Sequence, residues 1–324
     1  AHYISNTKAQ RTKLANDIVK KVGKVWLLTG TPMTSRPMNY YNLLKLVESR
    51  VAKNWVSYVK RYCEGYQINK GGRKIWLTNG ASNLDELRDR TKQKVLRRLK
   101  EEILDLPDKI ITPIFLELNS KEYKKEVGEY LDWANENKNE SLTIQLNKLM
   151  KVRQIIAKEK LTNTFELIDQ CLEQDKKVIV FTNFTEPLME IWSKYKKIAV
   201  PLYGRMNQEQ RQDSVDSFQN DPKTKIFVSN IKAGGVGITL TAGEVVIFND
   251  LSFVPSDMAQ AEDRAFRIGQ KKNVSCLYPI FDNTLERIIY NIVQKKKRVI
   301  DTVMGDHMGD DDLMLSILEE MQLL

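Results

Sequence analysis

The strongest constraint on this chain lies in its second half, where short uninterrupted apolar runs alternate with longer polar stretches. Val178-Ile179-Val180-Phe181, Ile226-Phe227-Val228, Val245 to Phe248 and Leu277 to Ile280 each read as a strand buried on both faces. Ala199 to Leu202 reads as a shorter strand, and Asn207 with Gln210 three residues on forms a capping-box start for the helix that follows. Strands alternating with helices from about residue 160 onward imply an α/β fold with a parallel sheet and helices on both faces. In such sheets ligands bind at the carboxyl ends of the strands.

The first half is less regular. The spacing predicts a helix over 7–22 with Leu14, Ile18 and Val22 on its inner face, then a buried strand, Val25 to Leu28, running into Thr29-Gly30-Thr31-Pro32. A second helix is expected from Asn39 to Val47. Residues 51–105 carry Trp55, Tyr58, Tyr62, Tyr66, Trp76 and a Gly71-Gly72 turn, and read as a mostly helical insertion. Its basic stretch, Arg88 to Lys100, fits equally a solvated amphipathic helix with Leu87, Val95 and Leu99 inward or a DNA-facing helix. Ile110 to Leu118 is expected as a strand whose Pro113 suits an edge. Polar helices follow over 119–175. Leu285 to Ile300 reads as an amphipathic helix with Ile288, Ile289, Ile292 and Val293 inward, and the tail with Asp310 to Asp312 as a short helix or a frayed end.

Composition removes several chemistries. The chain of 324 residues has 51 basic and 42 acidic side chains, a net charge of +9, which leans toward a polyanionic partner. Its three cysteines, Cys63, Cys171 and Cys276, are too scattered for a disulfide framework or a metal knuckle and fit a reducing, intracellular setting. Only His2 and His307 are present, which excludes a His-rich zinc site and leaves a Ser-His-Asp or Cys-His triad dependent on terminal residues. No apolar run approaches a membrane span.

Two segments carry the chemistry. In Gln260-Ala-Glu-Asp-Arg-Ala-Phe-Arg-Ile-Gly-Gln270, residues Gln260, Arg264 and Arg267 fall at i, i+4 and i+7 and would share one helix face. Two guanidiniums on one face make a strong phosphate receptor, because they keep their charge and match oxyanions bidentately. The plainer alternative is a solvated arginine face. Upstream, Lys232-Ala-Gly-Gly-Val-Gly-Ile-Thr239 places three glycines after a strand, where bare backbone amides can approach a phosphate. An ordinary glycine turn is its alternative. The loop is not a P-loop, since no Gly-Lys-Ser/Thr follows four intervening residues anywhere in the chain.

Together these segments resemble the motifs of superfamily II helicases, in order. Thr29-Gly30-Thr31-Pro32 is similar to motif III, Val178 through Phe184 to motif IV, Ile226 through Leu240 to motif V, and Gln260 through Gln270 to motif VI in the form typical of Swi/Snf-type DNA translocases. Ala1-His2 resembles the end of a D-E-A-H box. Thr29 through Pro37, Gly237-Ile-Thr-Leu-Thr-Ala242 and Gln260-Ala-Glu-Asp-Arg264 are similar to the annealing-helicase branch, whereas Leu251-Ser-Phe-Val-Pro255 departs from the Trp-Asn-Pro of most relatives.

The resemblance implies RecA-like parallel-sheet lobes: the carboxyl-terminal part of lobe 1 over 1–118 with the insertion at 51–105, a helical connector over 119–160, a complete lobe 2 over 161–300 and a tail over 301–324. It implies ATP with Mg²⁺ as cofactors, double-stranded or forked DNA as partner and no membrane. Arg264 and Arg267 would be arginine fingers with Gln260 beside them, and Gly235, Gly237 and Asp263 would complete the phosphate contacts. Thr29, Gly30 and Thr31 would couple nucleotide to DNA, and Thr182, Asn183, Lys232, Gly234 and Thr239 would hold one DNA strand. Lacking a P-loop, this polypeptide alone is expected to be inactive, with its metal ligands mostly elsewhere. A strand-separating DNA or RNA helicase, and a non-catalytic nucleic-acid-binding protein on the same scaffold, are the alternatives.

Overall fold

The computed structural model describes residues 1–29, 32–33, 37–70, 72–78, 80–96, 98, 104–137, 142–234, 237–291 and 293–294. Gly30, Thr31, Leu99, Gly235, Ile292, residues 295–300 and the tail at 301–324 lie outside the described residues. The chain divides into two compact units, Ala1–Arg98 and a second built from Leu99–Phe253 with Asp257–Asn291.

In the first unit, α1 (Gln10–Val19), α2 (Pro37–Leu46) and α3 (Trp55–Tyr62) precede an antiparallel hairpin of β1 (Tyr66–Lys70) and β2 (Arg73–Leu77), and α4 (Leu84–Thr91) follows. The core is a tyrosine cluster on α2 and α3. Tyr58 lies between Tyr41 and Tyr62 at ring distances of 5.0 and 5.2 Å, and its buried hydroxyl donates to the Pro37 carbonyl at 2.7 Å. Leu87 of α4 is buried with them, as the amphipathic reading of that stretch requires, but the helix ends at Thr91.

Three expectations fail here. Val25 to Leu28 forms no strand, and Trp26 and Leu28 are 87% and 82% exposed. Leu14, Ile18 and Val22 are likewise exposed rather than inward. A strand needs a hydrogen-bonded neighbour, and the hairpin strands pair only with each other. The insertion is also not mostly helical, because it contains the β1–β2 hairpin, with Gly72 at its turn.

In the second unit a six-stranded sheet runs in the order β3-β8-β7-β4-β6-β5, parallel throughout. Its strands are β3 (Lys109–Leu116), β4 (Val178–Thr182), β5 (Ala199–Leu202), β6 (Ile226–Asn230), β7 (Val245–Phe248) and β8 (Val274–Phe281). Strand β3, expected to close the first domain, instead pairs with β8 along its whole length, from Lys109↔Val274 to Leu116↔Phe281. Pro113 sits on this edge strand, where its missing N–H costs least. Pro279 is tolerated in β8 because the pairing with β7 ends at Leu277.

Helices α5 (Lys121–Glu136), α6 (Leu142–Glu159) and α7 (Leu161–Glu173) lead into β4, and α8 (Thr185–Lys194), α9 (Gln208–Asn220), α10 (Ile231–Gly234) and α11 (Pro255–Ala265) connect the later strands. The period-two alternation of buried strands explains the two-sided core. Val178, Val180, Ile226, Val228, Val245 and Ile247 meet Ile168, Leu188 and Ile191 on one face. On the other, Phe181 stacks on Phe248 at 5.6 Å, Phe248 on Tyr278 at 4.6 Å, and Phe227 meets Phe218 of α9 at 5.5 Å. The capping box at α9 forms as its sequence specifies, Asn207 and Gln210 exchanging bonds at 2.9 and 3.1 Å.

One buried ion pair joins the connector to the last helical segment, over 285–291. Lys160, fully buried, bonds Glu286, which also accepts from the Phe281 amide at 3.1 Å. Burial pulls the Lys160 ammonium below its usual value and pushes the Glu286 carboxyl above it, and each partner opposes the other's shift. Removing one partner strands a buried charge. We therefore expect Lys160→Met to cost about 3–5 kcal/mol in urea unfolding, and Lys160→Met with Glu286→Leu to recover most of that loss.

A second electrostatic knot is exposed and in the first unit. Glu86 accepts from Arg61 Nε through both oxygens, at 2.8 and 2.9 Å, and from the Tyr62 hydroxyl and Arg90 at 3.0 Å each. Its hydrogen bond with Arg61 foremost, against the cost of desolvation, holds the Glu86 carboxyl down from 4.5 to about 2. The folded-state value is depressed, so the stabilisation is complete above pH 4.5 and is lost as pH falls through about 2. Across that window the urea midpoint of Glu86→Gln should fall less steeply than that of the unsubstituted protein.

Candidate functional site

The connection leaving β4 runs toward the β5 side of the sheet, and the one leaving β7 runs toward β8. The neighbours β4 and β7 therefore straddle the topological switch point, where an α/β sheet opens a crevice at its carboxyl edge. Asp250, two residues past β7, fills this position. Its carboxylate accepts from the Thr182 hydroxyl, from the Asn183 amide at 3.1 Å through either oxygen, and from Asn183 Nδ2. Asn183 Nδ2 also donates to the Leu251 carbonyl at 3.0 Å, and Thr182 Oγ1 accepts from the Phe184 amide at 3.2 Å. Behind this knot Asn249 accepts from Thr164 at 2.7 Å and donates to the Ala157 carbonyl at 2.9 Å.

Thr182 and Asn183, expected to hold one DNA strand, make these bonds within the fold. Thr182 is 0% exposed, with its hydroxyl engaged as donor and acceptor, and the N–H groups of Asn183 are held by Asp250 and Leu251. Their polarity closes the sheet edge from within. Gly234, also expected at the strand, is buried: a Cβ there would meet Ser229 Oγ at 2.5 Å and Phe181 at 3.0 Å. Its bare backbone lets α10 sit on the sheet.

From Asp250 a continuous set of contacts leads to the arginines. Arg153 of α6 donates to the Leu251 carbonyl and lies over the Phe253 ring at 4.1 Å and the Phe184 ring at 5.6 Å. Burial foremost draws its guanidinium below the usual value, against the attraction of Asp250 and Glu286. The Ser252 hydroxyl donates to Asp257 at 3.2 Å in the first turn of α11. The same helix is clamped to the sheet by Glu262, which accepts from Lys109 of β3 at 2.8 Å and from the Tyr278 hydroxyl of β8. Burial opposes the Lys109 charge, but Glu262 and then Asp263 outweigh it and raise its pKa. Asp263, expected at the nucleotide, thus faces Lys109 at 3.8 Å.

At the end of α11 the predicted cations converge. Arg264 Nε donates to the Gln260 carbonyl at 3.0 Å, and Arg264 and Arg267 both donate to one acceptor, the Ile238 carbonyl, at 3.3 and 3.4 Å. The helix ends at Ala265, so Arg267 stands in the following turn rather than on the helix face its spacing implied. The convergence has another source. The Arg264 carbonyl accepts from the Leu240 amide at 2.9 Å, which ties the glycine loop to the helix end, and Gly237 takes φ +77° within that loop.

Gln270 fixes the turn. Its amide donates to Gly243 and Ala265 carbonyls at 3.0 and 3.1 Å and accepts from the Lys271 and Lys272 amides at 2.9 and 3.0 Å. Those four bonds exhaust the side chain's capacity, so its role is positional.

Burial first, then the neighbouring Arg267 cation, lowers the pKa of half-buried Arg264. Among the described residues neither guanidinium enters an ion pair; a neutral carbonyl is all they share. Two cations held together outside any ion pair among the described residues, with Asp263 acting on Arg264 only at a distance, form a receptor for an anion. Nearby in sequence, Lys232 is exposed, while Thr239 and Gln260 are half-buried; Thr29, in the first unit, is also half-buried.

Sequence reasoning missed Asp250, Arg153, Glu262 and Lys109. Asp250 carried a legible signal, an acid just past a fully buried strand. Arg153 carried none, since Lys-Val-Arg-Gln reads as a solvated helix turn.

Comparison with known proteins agrees with this architecture. Residues 1–176 match the SNF2-related domain, and residues 159–269 match the helicase conserved C-terminal domain. The chain is 33% identical, over 94% of its length, to a Drosophila melanogaster SWI/SNF-related matrix-associated actin-dependent regulator of chromatin subfamily A-like protein 1, covering 40% of that protein. It is 31% identical to the human DNA annealing helicase and endonuclease ZRANB3, over 94% of this chain and 29% of the relative. The chain thus spans less than half the length of these curated relatives. The Sulfolobus solfataricus SWI2/SNF2 ATPase core in complex with dsDNA shares the fold at TM-score 0.55 and 24% identity, covering 99% of this chain and 70% of that one. With more than half its residues matched by one family model, the chain belongs to the SNF2-related domain family.

Proposed function

We propose that this chain is part of an ATP-dependent DNA translocase of the annealing-helicase type, to which its second unit contributes arginine fingers. One observation carries the reading: Arg264 and Arg267 are drawn together on the Ile238 carbonyl, and among the described residues neither enters an ion pair. Such a pair fits the γ-phosphate of ATP, whose hydrolysis supplies the free energy for movement. The Gln270 turn and the Leu240–Arg264 bond hold the guanidiniums in place beforehand, so that little reorganisation opposes them when charge develops. Gln260 lies one turn before Arg264, and Gly237 offers its backbone beside Ile238. Gly235 belongs to the same loop in the sequence.

Among the described residues no group of three His, Cys, Asp or Glu side chains is arranged to hold a metal. Mg²⁺ enters this reading only as the ion that accompanies ATP. DNA, double-stranded or forked, is the proposed partner. Lys232 and Thr239 would contact phosphates of one strand without reading sequence, and Thr29, Gly30 and Thr31 would couple the nucleotide to that contact. The relatives named as annealing helicases and the core crystallised with dsDNA support this choice. No helix among the described residues is long and apolar enough to cross a membrane. With DNA as substrate, the protein would work inside the cell, in the nucleus or in the cytoplasm and nucleoid, depending on its source.

In the full-length protein, Arg267→Ala and Arg264→Ala should each lower DNA-stimulated ATP turnover by roughly 10³–10⁵-fold, with DNA affinity little changed. Steady-state phosphate release with and without duplex DNA measures this, and turnover within a few-fold of the unsubstituted protein would refute the finger role. This 324-residue polypeptide alone, which contains no P-loop, should show no DNA-stimulated turnover in the same assay.

A further inference from the structure

The ribbon of β1 and β2 takes no part in the site at the carboxyl edge of the sheet. It is antiparallel from Tyr66↔Leu77 at its base to Lys70↔Arg73 at its tip, with Gly72 at φ +77° in the turn. Each strand of five residues is about 17 Å long. A bare two-stranded ribbon is marginal in water, and this one is secured only at its base. Trp76 meets Trp55 of α3 edge-on at 5.5 Å. Gly65 lies so close to α3 that a Cβ would come within 2.9 Å of the Val59 carbonyl. Ser82 and Asn83 each donate to the Arg61 carbonyl at 2.7 Å, closing the end of α3 beneath the hairpin.

Above this anchored base the ribbon is uncovered: Tyr66, Gln67, Asn69, Arg73, Lys74 and Ile75 are all exposed. Its charge has one sign. The segment 66–77 contains Lys70, Arg73 and Lys74 and no acidic residue. Among the described residues neither Arg73 nor Lys74 enters an ion pair, whereas the cations of the adjoining helices do: Arg61 and Arg90 with Glu86, Arg88 with Asp85 and Lys92 with Asp89. Those four cations are neutralised within the first unit, and Arg73 and Lys74 are not. Free cations on a projecting ribbon with a rigid base fit a polyanion, and a two-stranded ribbon has the width of the major groove of duplex DNA.

We infer that the β1–β2 hairpin is a second DNA contact, in which Arg73 and Lys74 bind backbone phosphates of duplex DNA with the ribbon edge against the groove. This rests on the translocase reading but uses none of the residues of the arginine site. Phosphate contacts of this kind position the duplex without selecting sequence.

The test is made on the full-length protein carrying Arg73→Gln and Lys74→Gln. Both side chains are exposed and unpaired, so the fold should be unaffected, and an unchanged circular-dichroism melt checks this. Binding of a fluorescein-labelled blunt duplex is followed by anisotropy between 50 and 200 mM KCl, alongside a single strand of the same length. Loss of two phosphate contacts should flatten the slope of log K against log salt by about 1.8, so that the salt-induced loss of affinity across that range shrinks by about tenfold. More duplex should be needed for half-maximal ATPase stimulation, with DNA-free turnover and the KM for ATP unchanged, and Arg73→Lys should behave as the unsubstituted protein. An unchanged salt slope in a protein that does bind duplex overturns the hairpin contact and leaves the translocase reading standing. A loss confined to the single strand overturns the commitment to duplex. Failure of the unsubstituted protein to bind DNA at all overturns both.

Discussion

The carboxylate of Asp250 is the point from which the second unit's functional edge is set. A buried anion between the ends of two parallel strands must be neutralised by hydrogen bonds, and here the Thr182 hydroxyl and both N–H groups of Asn183 supply them. The ends of β4 and β7 are thereby locked in register at the switch point, where the sheet would otherwise open. The chain leaving Asp250 is then held by Arg153, which satisfies the Leu251 carbonyl and covers Phe253, before α11 begins. Everything that α11 presents follows from where that segment puts it.

The arrangement separates two kinds of polar group. Asp250, Thr182, Asn183, Arg153 and Lys160 are bonded within the fold, and serve the geometry of the sheet edge. Arg264 and Arg267 are the opposite case. Their fixed charges are brought to one neutral acceptor outside any described ion pair, and burial and then Arg267, against the pull of Asp263, depress the pKa of Arg264. Half-buried Arg264 and exposed Arg267, converging on one carbonyl outside any described ion pair, give that place an affinity for an oxyanion.

Much of this was legible in the sequence, and the reasons for success and failure are physical. Strands β4, β6 and β7 are central and buried on both faces, so their apolar runs carried an unambiguous signal, and so did the Asn207–Gln210 box, whose bonds are local. Val25 to Leu28 carries the same signal, but strand formation requires a neighbour, which the run itself does not specify. The partner of β3 was likewise illegible: edge pairing with β8 joins residues far apart in sequence and leaves no periodic trace. The hairpin was hidden because its strands are neither apolar nor alternating, and only Gly71-Gly72 marked it.

At the site, the residue types were found more readily than their roles. Arg264 and Arg267 were identified by helical spacing, yet Arg267 reaches its partner from a turn that Gln270 shapes. Thr182 and Asn183 were assigned to DNA through the motif resemblance, which carries no trace of the buried Asp250 that they also bond. The most direct test of the central claim, that the uncompensated arginine pair recognises a transferring phosphoryl group, is the affinity of the full-length protein for ADP with aluminium fluoride, compared with ADP alone. The account requires that Arg264→Ala and Arg267→Ala weaken binding of the transition-state mimic by orders of magnitude while ADP affinity stays nearly constant. Equal losses for both ligands, or none for either, would contradict it.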